Sequence, residues 1–260
     1  MKPNTFVEEY NAGRRDFRNW RLEGQDFQSQ HFKHVDLTEA DLSESNLKGA
    51  HFEESCLAYC CLAKANARQV RLHNVDLSYA VMEEIDLEQA SITHSNLYHS
   101  NLIEAHMRWA ALKNVSLEQA NLTNSVLRRA SLTQVQATQA WLNKAVITAA
   151  HLYQVNFQNA ILDRASFESS YISQSQFNQA CLVHCGFEDS SLQSVDFDSA
   201  NMVGVNLRWT TLHQVSFNQA QLNHSDLTAA RLNQISLDES SLTAVRFSTS
   251  VNKMIVAHNF

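Results

Sequence analysis

The sequence predicts an all-β solenoid with a short helical cap at its N-terminus, and two observations carry that prediction. A large apolar residue recurs at every fifth position from Phe17 to Phe247, and a small residue lies two places before it. A helix repeats its apolar face about every 3.6 residues and a strand every second residue, so neither fits a period of five. Of the 47 positions in the large-residue register, 45 are Leu, Phe, Ile or Met, and only Ala67 and Ala137 are small. All 43 positions of the small-residue register from Val35 to Val245 are Ala, Ser, Val, Cys, Thr or Ile. The register never slips, so the repeat leaves no room for inserted loops.

Two inward residues, one small and one large, sit two apart, as alternate residues of a short extended segment do. The next inward pair begins three residues later, so the chain turns a corner in between. Large residues then stack along the axis, and small ones let facing walls approach. Stacked coils satisfy each other's backbone N–H and C=O groups as strands do in a sheet.

In chain order, residues 1–16 form the N-terminal cap. NTFVEEYNAG at 4–13 reads as a short helix, with Asn4 or Thr5 as its cap, Phe6 and Tyr10 on one face and Gly13 at its stop. Arg15, Trp20, Gln25 and Gln30 break the small-residue rule, which predicts an irregular, wider first coil. Residues 17–250 are the solenoid proper. Residues 251–260 then cover the last coil, because a solenoid with raw ends pairs end to end.

The repeating units TEADL, EQANL and NHSDL resemble those of the pentapeptide-repeat family, A(D/N)LXX, over roughly residues 15 to 250. The lead-in YNAGRRDF is similar to that of cyanobacterial members. The resemblance implies a right-handed quadrilateral β-helix with four pentapeptides, twenty residues, per coil. The sequence carries that longer period too. Val or Ile recurs at 35, 75, 115, 135, 155, 195, 215 and 235, and Phe157, Phe177, Phe197 and Phe217 form a column twenty apart. Forty-seven units make about twelve coils, and at ~4.8 Å per layer the rod is roughly 55 Å long. The resemblance also makes the chain a monomer or a homodimer through an end cap.

Composition narrows the function classes. The net charge is −7 with 18% charged residues, which argues against nucleic acid as the default partner. No apolar run approaches membrane length and no signal peptide is visible, so a cytoplasmic rod is expected, with no membrane partner. No Gly-rich phosphate loop, HExxH or GxSxG occurs, and no loop interrupts the coils to hold catalytic groups, so no enzyme and no cofactor are expected. CLAYCC at 56–61 and CLVHC at 181–185 invite a metal reading, but Cys60 and Cys185 fall on inward positions, whereas Cys56, Cys61 and Cys181 point outward. They read as structural thiols. His31 and His51 share a column followed by Arg71, a pair with no carboxylate or thiolate ligand beside it, so they read as solvated surface histidines and no metal is expected. Gln134, Gln154, Gln174, Gln214 and Gln234 share one corner, and Gln119, Gln139 and Gln179 another, which predicts amide ladders.

Two outward features point to a binding surface. Val126, Trp141, Val146 and Ile161 stand where polar residues are usual and lie on adjoining sides of neighbouring coils. Arg108, Trp109, Arg128, Arg129, Arg208 and Trp209 form a basic and aromatic strip on a side that also holds Lys48 and Arg68. Arg and Trp are enriched among residues that dominate interface energetics. The function predicted is a non-enzymatic scaffold or regulator that presents its flat sides to a protein partner. The alternative from the family is a DNA mimic that binds DNA gyrase. Those members carry protruding loops and an acidic side, whereas here Glu44, Glu84 and Glu104 share their corner with Lys64, Lys144 and Arg164.

Overall fold

A computed structural model describes residues 5–248. Every fifth residue from Phe17 onward turns into a common core. That core runs without a break from Phe6 to Leu237 and is bounded by the partly buried Leu242, Val245 and Phe247. The chain is a parallel β-solenoid of about eleven turns, the right-handed quadrilateral β-helix that the repeat implies. One side is an eleven-stranded parallel sheet running from β1 (His31–Lys33) and β2 (His51–Glu53) to a last strand at Arg231–Ser236. Its register pairs each residue with the one twenty further on, as in Phe32 with Phe52 and Leu212 with Leu232. The other three sides are single-residue bridges with the same offset, beginning at Asp16–Asp36, Arg21–Asp41 and Asp26–Asn46, except near the C-terminal end, where Val215–Ser216 pairs with Ile235–Ser236 and Asp226–Leu227 with Arg246–Phe247. Each of these three sides stacks twelve rungs, because a helix takes the place of the first rung on the fourth.

That helix, α1 (Thr5–Asn11), closes the N-terminal end. Gly13 at φ 101° turns the chain out of it, a conformation open to glycine at no steric cost. Phe6 drops into the axis and meets Phe17 at 4.3 Å and Phe27 and Phe32 at 5.2 Å between ring centroids. The first coil departs from expectation. Its ladder is regular from Asp16 onward, with Phe17 N–H donating to Asp36 C=O at 2.8 Å. Two of the large residues that break the small-residue rule clasp the helix. Trp20 packs edge-on to Phe6 and Phe17, and the Arg15 guanidinium lies 4.1 Å from the Tyr10 ring. Asn4 and the cap expected at 251–260 lie outside the described residues.

The family motif has a physical cause at each corner. Where Asp or Asn precedes the large residue, its side chain accepts a hydrogen bond from the backbone N–H two residues on, as Asp36 Oδ1 does from Thr38 and Asp41 Oδ1 from Ser43, both at 3.0 Å. The next residue sits in the left-handed region, at φ 59° for Glu39 and 60° for Trp109 and Arg129. These side chains therefore stand out from the corner as a ridge. Inside, Phe157, Phe177, Phe197 and Phe217 stack at 4.9, 5.0 and 5.3 Å. Phe167 and Phe187 stack at 4.8 Å in a second column and meet the first nearly at right angles, a herringbone that suits the ring quadrupoles. Of the expected amide ladders one pair forms in each column, Gln119–Gln139 and Gln154–Gln174, while Gln214 accepts from Ser194 instead, and a further pair joins Gln69 to Gln89.

Candidate functional site

The corner ridge formed by residues 109, 129, 149 and 169 changes size abruptly, from Trp and Arg to Ala and Ser. That step leaves a groove of about 510 Å³ lined by Arg108, Trp109, Arg128, Arg129, Ala149 and Glu168, among others. Within it the Arg129 guanidinium lies 4.6 Å from the centroid of the Trp109 ring, a cation–π contact. Arg128 Nε donates to Thr148 Oγ1 one turn on, at 3.1 Å. Trp109 is half exposed despite its size.

What sets the groove apart is that three unpaired guanidinium groups are gathered in it, whereas some of the other cations are paired and the rest are spread along the rod. Arg18 pairs with Asp16, Lys33 with Glu53, Lys64 with Glu84, and Arg68 with both Asp86 and Glu88. Among the described residues, no carboxylate forms an ion pair with Arg108, Arg128 or Arg129. Glu88 is drawn to Arg68 instead, at 2.8 Å. Glu168 leans over the bare Cα of Gly186, where an added Cβ would stand 3.1 Å from its Oε1. The groove thus holds three guanidinium groups at one end and a carboxylate at the other.

Of the predicted strip, Arg108, Trp109, Arg128 and Arg129 come together. Arg208 and Trp209 occupy the same corner columns four turns further along, which is ~19 Å at the rung spacing, and are not part of the groove. Trp209 is the most exposed large apolar residue among those described. The apolar group is assembled as expected, with Val126 bridged to Val146 and Trp141 to Ile161. Trp141 and Ile161 are exposed, whereas both valines are half-buried. The register adds what the sequence reading kept apart. Val126 and Val146 lie two residues before Arg128 and Thr148, so the apolar face borders the basic groove on the same two rungs.

The cysteines are as expected: all five are free, Cys60 and Cys185 are buried, and burial pushes both thiols well above their ordinary pKa. The histidine reading needs a correction. His31 and His51 stack at 4.3 Å, but they do have a carboxylate beside them, because Glu53 follows His51 by two residues and shares its outward face. Burial lowers the pKa of the His51 ring, and neighbouring His31 adds to the effect. Alternation along β2 was the signal that would have found Glu53.

Two family models match the chain, "Pentapeptide repeats (8 copies)" over residues 31–69, 71–108, 110–148 and 150–189, and "Pentapeptide repeat region" over 170–247. No curated protein matches it by sequence. Among solved structures it is similar to HetL, a pentapeptide repeat protein involved in heterocyst differentiation regulation from the cyanobacterium Nostoc sp. Strain PCC 7120. Identity there is 23%, with 94% of this chain and 96% of that one covered and a TM-score of 0.40. It is also similar to QnrB1, a plasmid-mediated fluoroquinolone resistance protein, at 9% identity, 88% and 96% coverage and a TM-score of 0.38. A third is a pentapeptide repeat protein from the Arabidopsis thaliana thylakoid lumen, at 22% identity, 45% and 72% coverage and a TM-score of 0.25.

Proposed function

The chain belongs to the pentapeptide-repeat family, and on that premise we propose that it is a non-enzymatic scaffold that binds a protein partner through the groove at Arg108, Trp109, Arg128 and Arg129. The observation that carries the reading is the clustering of three guanidinium groups without a carboxylate partner in one groove, gathered around an exposed Trp. An acidic segment of the partner supplies the missing carboxylates. Trp109 contributes apolar area that is already held in place by Arg129, so little side-chain freedom is lost on binding. Val126 and Val146 extend the contact onto the adjoining side. A net charge of −7 disfavours duplex DNA or RNA as the ligand.

Catalysis is not part of the proposal, since no inserted loop breaks the coils to gather reacting groups. DNA mimicry has no support in the charge pattern. The corner with Glu44, Glu84 and Glu104 also carries Lys64, whose ammonium lies 3.6 Å from Glu84. The test is affinity capture from the native host followed by binding measurements on the captured partner. Trp109→Ala and Arg128→Glu should each weaken binding by about tenfold or more, on the scale of interface residues that cost above ~1.4 kcal/mol. Normal binding by both variants, with binding lost in Trp141→Ser, would move the interface to the apolar side and end this reading.

A further inference from the structure

A second cluster lies at the other end of the rod and is independent of the groove. β1 is the edge strand of the eleven-stranded sheet, with α1 where the preceding rung would be. Tyr10 of the helix ties to it through its hydroxyl, which accepts from Lys33 N–H at 2.8 Å. His31 on this edge pairs with His51 on β2, and their rings stack with 7° between planes. Glu53 Oε2 stands 3.6 Å from His31 Nε2. One ligand atom from each of the three residues lies within 4.8 Å of the other two, the only such trio among the described residues.

We propose that His31, His51 and Glu53 bind a borderline divalent metal ion of the zinc class, which clips β1 to β2 at the start of the stack. Two imidazole nitrogens and one carboxylate oxygen suit zinc or cobalt, whereas calcium and magnesium need all-oxygen shells. Around a tetrahedral ion with bonds of ~2.1 Å, ligand atoms lie roughly 3.4 Å apart. The three donors therefore close by about an ångström, within reach of side chains that are 56% exposed at His31 and 24% exposed at Glu53. His31 and His51 also border a groove of about 760 Å³, and a water would complete the four-coordinate shell.

Two neighbours oppose the ion. Lys33 Nζ holds Glu53 Oε1 at 2.9 Å and must release it, but Glu54 stands 3.7 Å away as a second carboxylate for it to take. Arg71 is paired with His51 on the next rung and adds positive charge. Affinity is therefore set by this competition, and removing Lys33 strengthens it.

The experiment uses the full-length chain without a histidine tag, titrated with Co²⁺ and followed by its visible absorption, then by displacement with Zn²⁺. One equivalent should bind with the strong absorption of tetrahedral cobalt, and the melting temperature should rise with metal concentration. His51→Ala and Glu53→Gln should each lower affinity about tenfold or more, whereas Lys33→Gln should raise it. Far-ultraviolet circular dichroism confirms that each variant is folded. No saturable Co²⁺ binding by the wild-type chain, or unchanged affinity in both His51→Ala and Glu53→Gln, would overturn the proposal.

Discussion

Replacing Phe177 with Ala tests the packing logic of the rod at its densest point. Phe177 is fully buried and touches four other rings, stacking on Phe157 at 4.9 Å and Phe197 at 5.0 Å and meeting Phe167 and Phe187 edge-on at 5.9 and 6.4 Å. Core Phe→Ala changes cost about 3–5 kcal/mol, the upper part of that range applying where neighbours cannot collapse into the space. Here they cannot. The rings above and below belong to rungs held apart by their own backbone ladder, with Phe157 N–H bonded to Gln176 C=O and Phe177 N–H to Asp196 C=O, both at 2.7 Å. A loss of about 4–5 kcal/mol is therefore expected. Phe177→Leu should cost only roughly 1–2 kcal/mol, because the same column holds Leu37, Leu57, Leu77, Leu97 and Leu117 in earlier turns. Urea unfolding followed by both circular dichroism and Trp fluorescence supplies the measurement, and coincident transitions justify a single free energy. A loss below about 1 kcal/mol for Phe177→Ala would mean that the rings do not stack, and the twenty-residue turn would be wrong.

Ala120→Leu should destabilise the fold by about 1–3 kcal/mol or more through overpacking, while Gln119→Leu on the neighbouring corner should be nearly neutral; equal tolerance in a thermal melt would reverse the inward and outward assignment. At pH 8, iodoacetamide should modify Cys56 and Cys61, whereas Cys60 and Cys185 should react only after unfolding, as read by mass spectrometry. Burial raises the thiol pKa of Cys60 and Cys185, so the folded chain keeps protons that the unfolded chain releases near pH ~8.5. Stability should thus fall as pH rises above that value, and Cys60→Ala should reduce the slope. In a DNA gyrase supercoiling assay with a quinolone, the protein should neither protect nor inhibit at micromolar concentration; a dose-dependent effect would restore the DNA-mimic reading.

Most of the fold was legible because each five-residue unit repeats one local decision. Large residues at Leu37, Leu42 and Leu47 and small ones at Val35, Ala40 and Ser45 specify inside and outside with almost no dependence on distant sequence. Residue columns twenty apart, such as the Phe157 series, fixed the stacking. What was missed lies where a residue answers to its three-dimensional neighbour and not to the repeat. Arg15 and Trp20 looked like defects of the first coil, yet they pack on Tyr10 and Phe6 of α1. Left-handed corners gave no glycine signal, since Trp109, Arg129 and many other non-glycine residues adopt that conformation. The groove had no signature beyond its arginines. It depends on Ala149 and Ser169 being small, on Glu88 turning to Arg68 and on Glu168 leaning over Gly186, which needs coordinates.

The central claim, that the Arg108–Arg129 groove contacts a protein partner, is tested most directly by photo-crosslinking in the native host. A benzophenone amino acid is placed at position 109, at 141 and at 209 in separate chains, and adducts are resolved by mass. The account predicts an adduct from position 109 that disappears when Arg128→Glu is added, with none from the distant position 209. Adducts confined to position 141, or an adduct at 109 that is indifferent to Arg128→Glu, would contradict it.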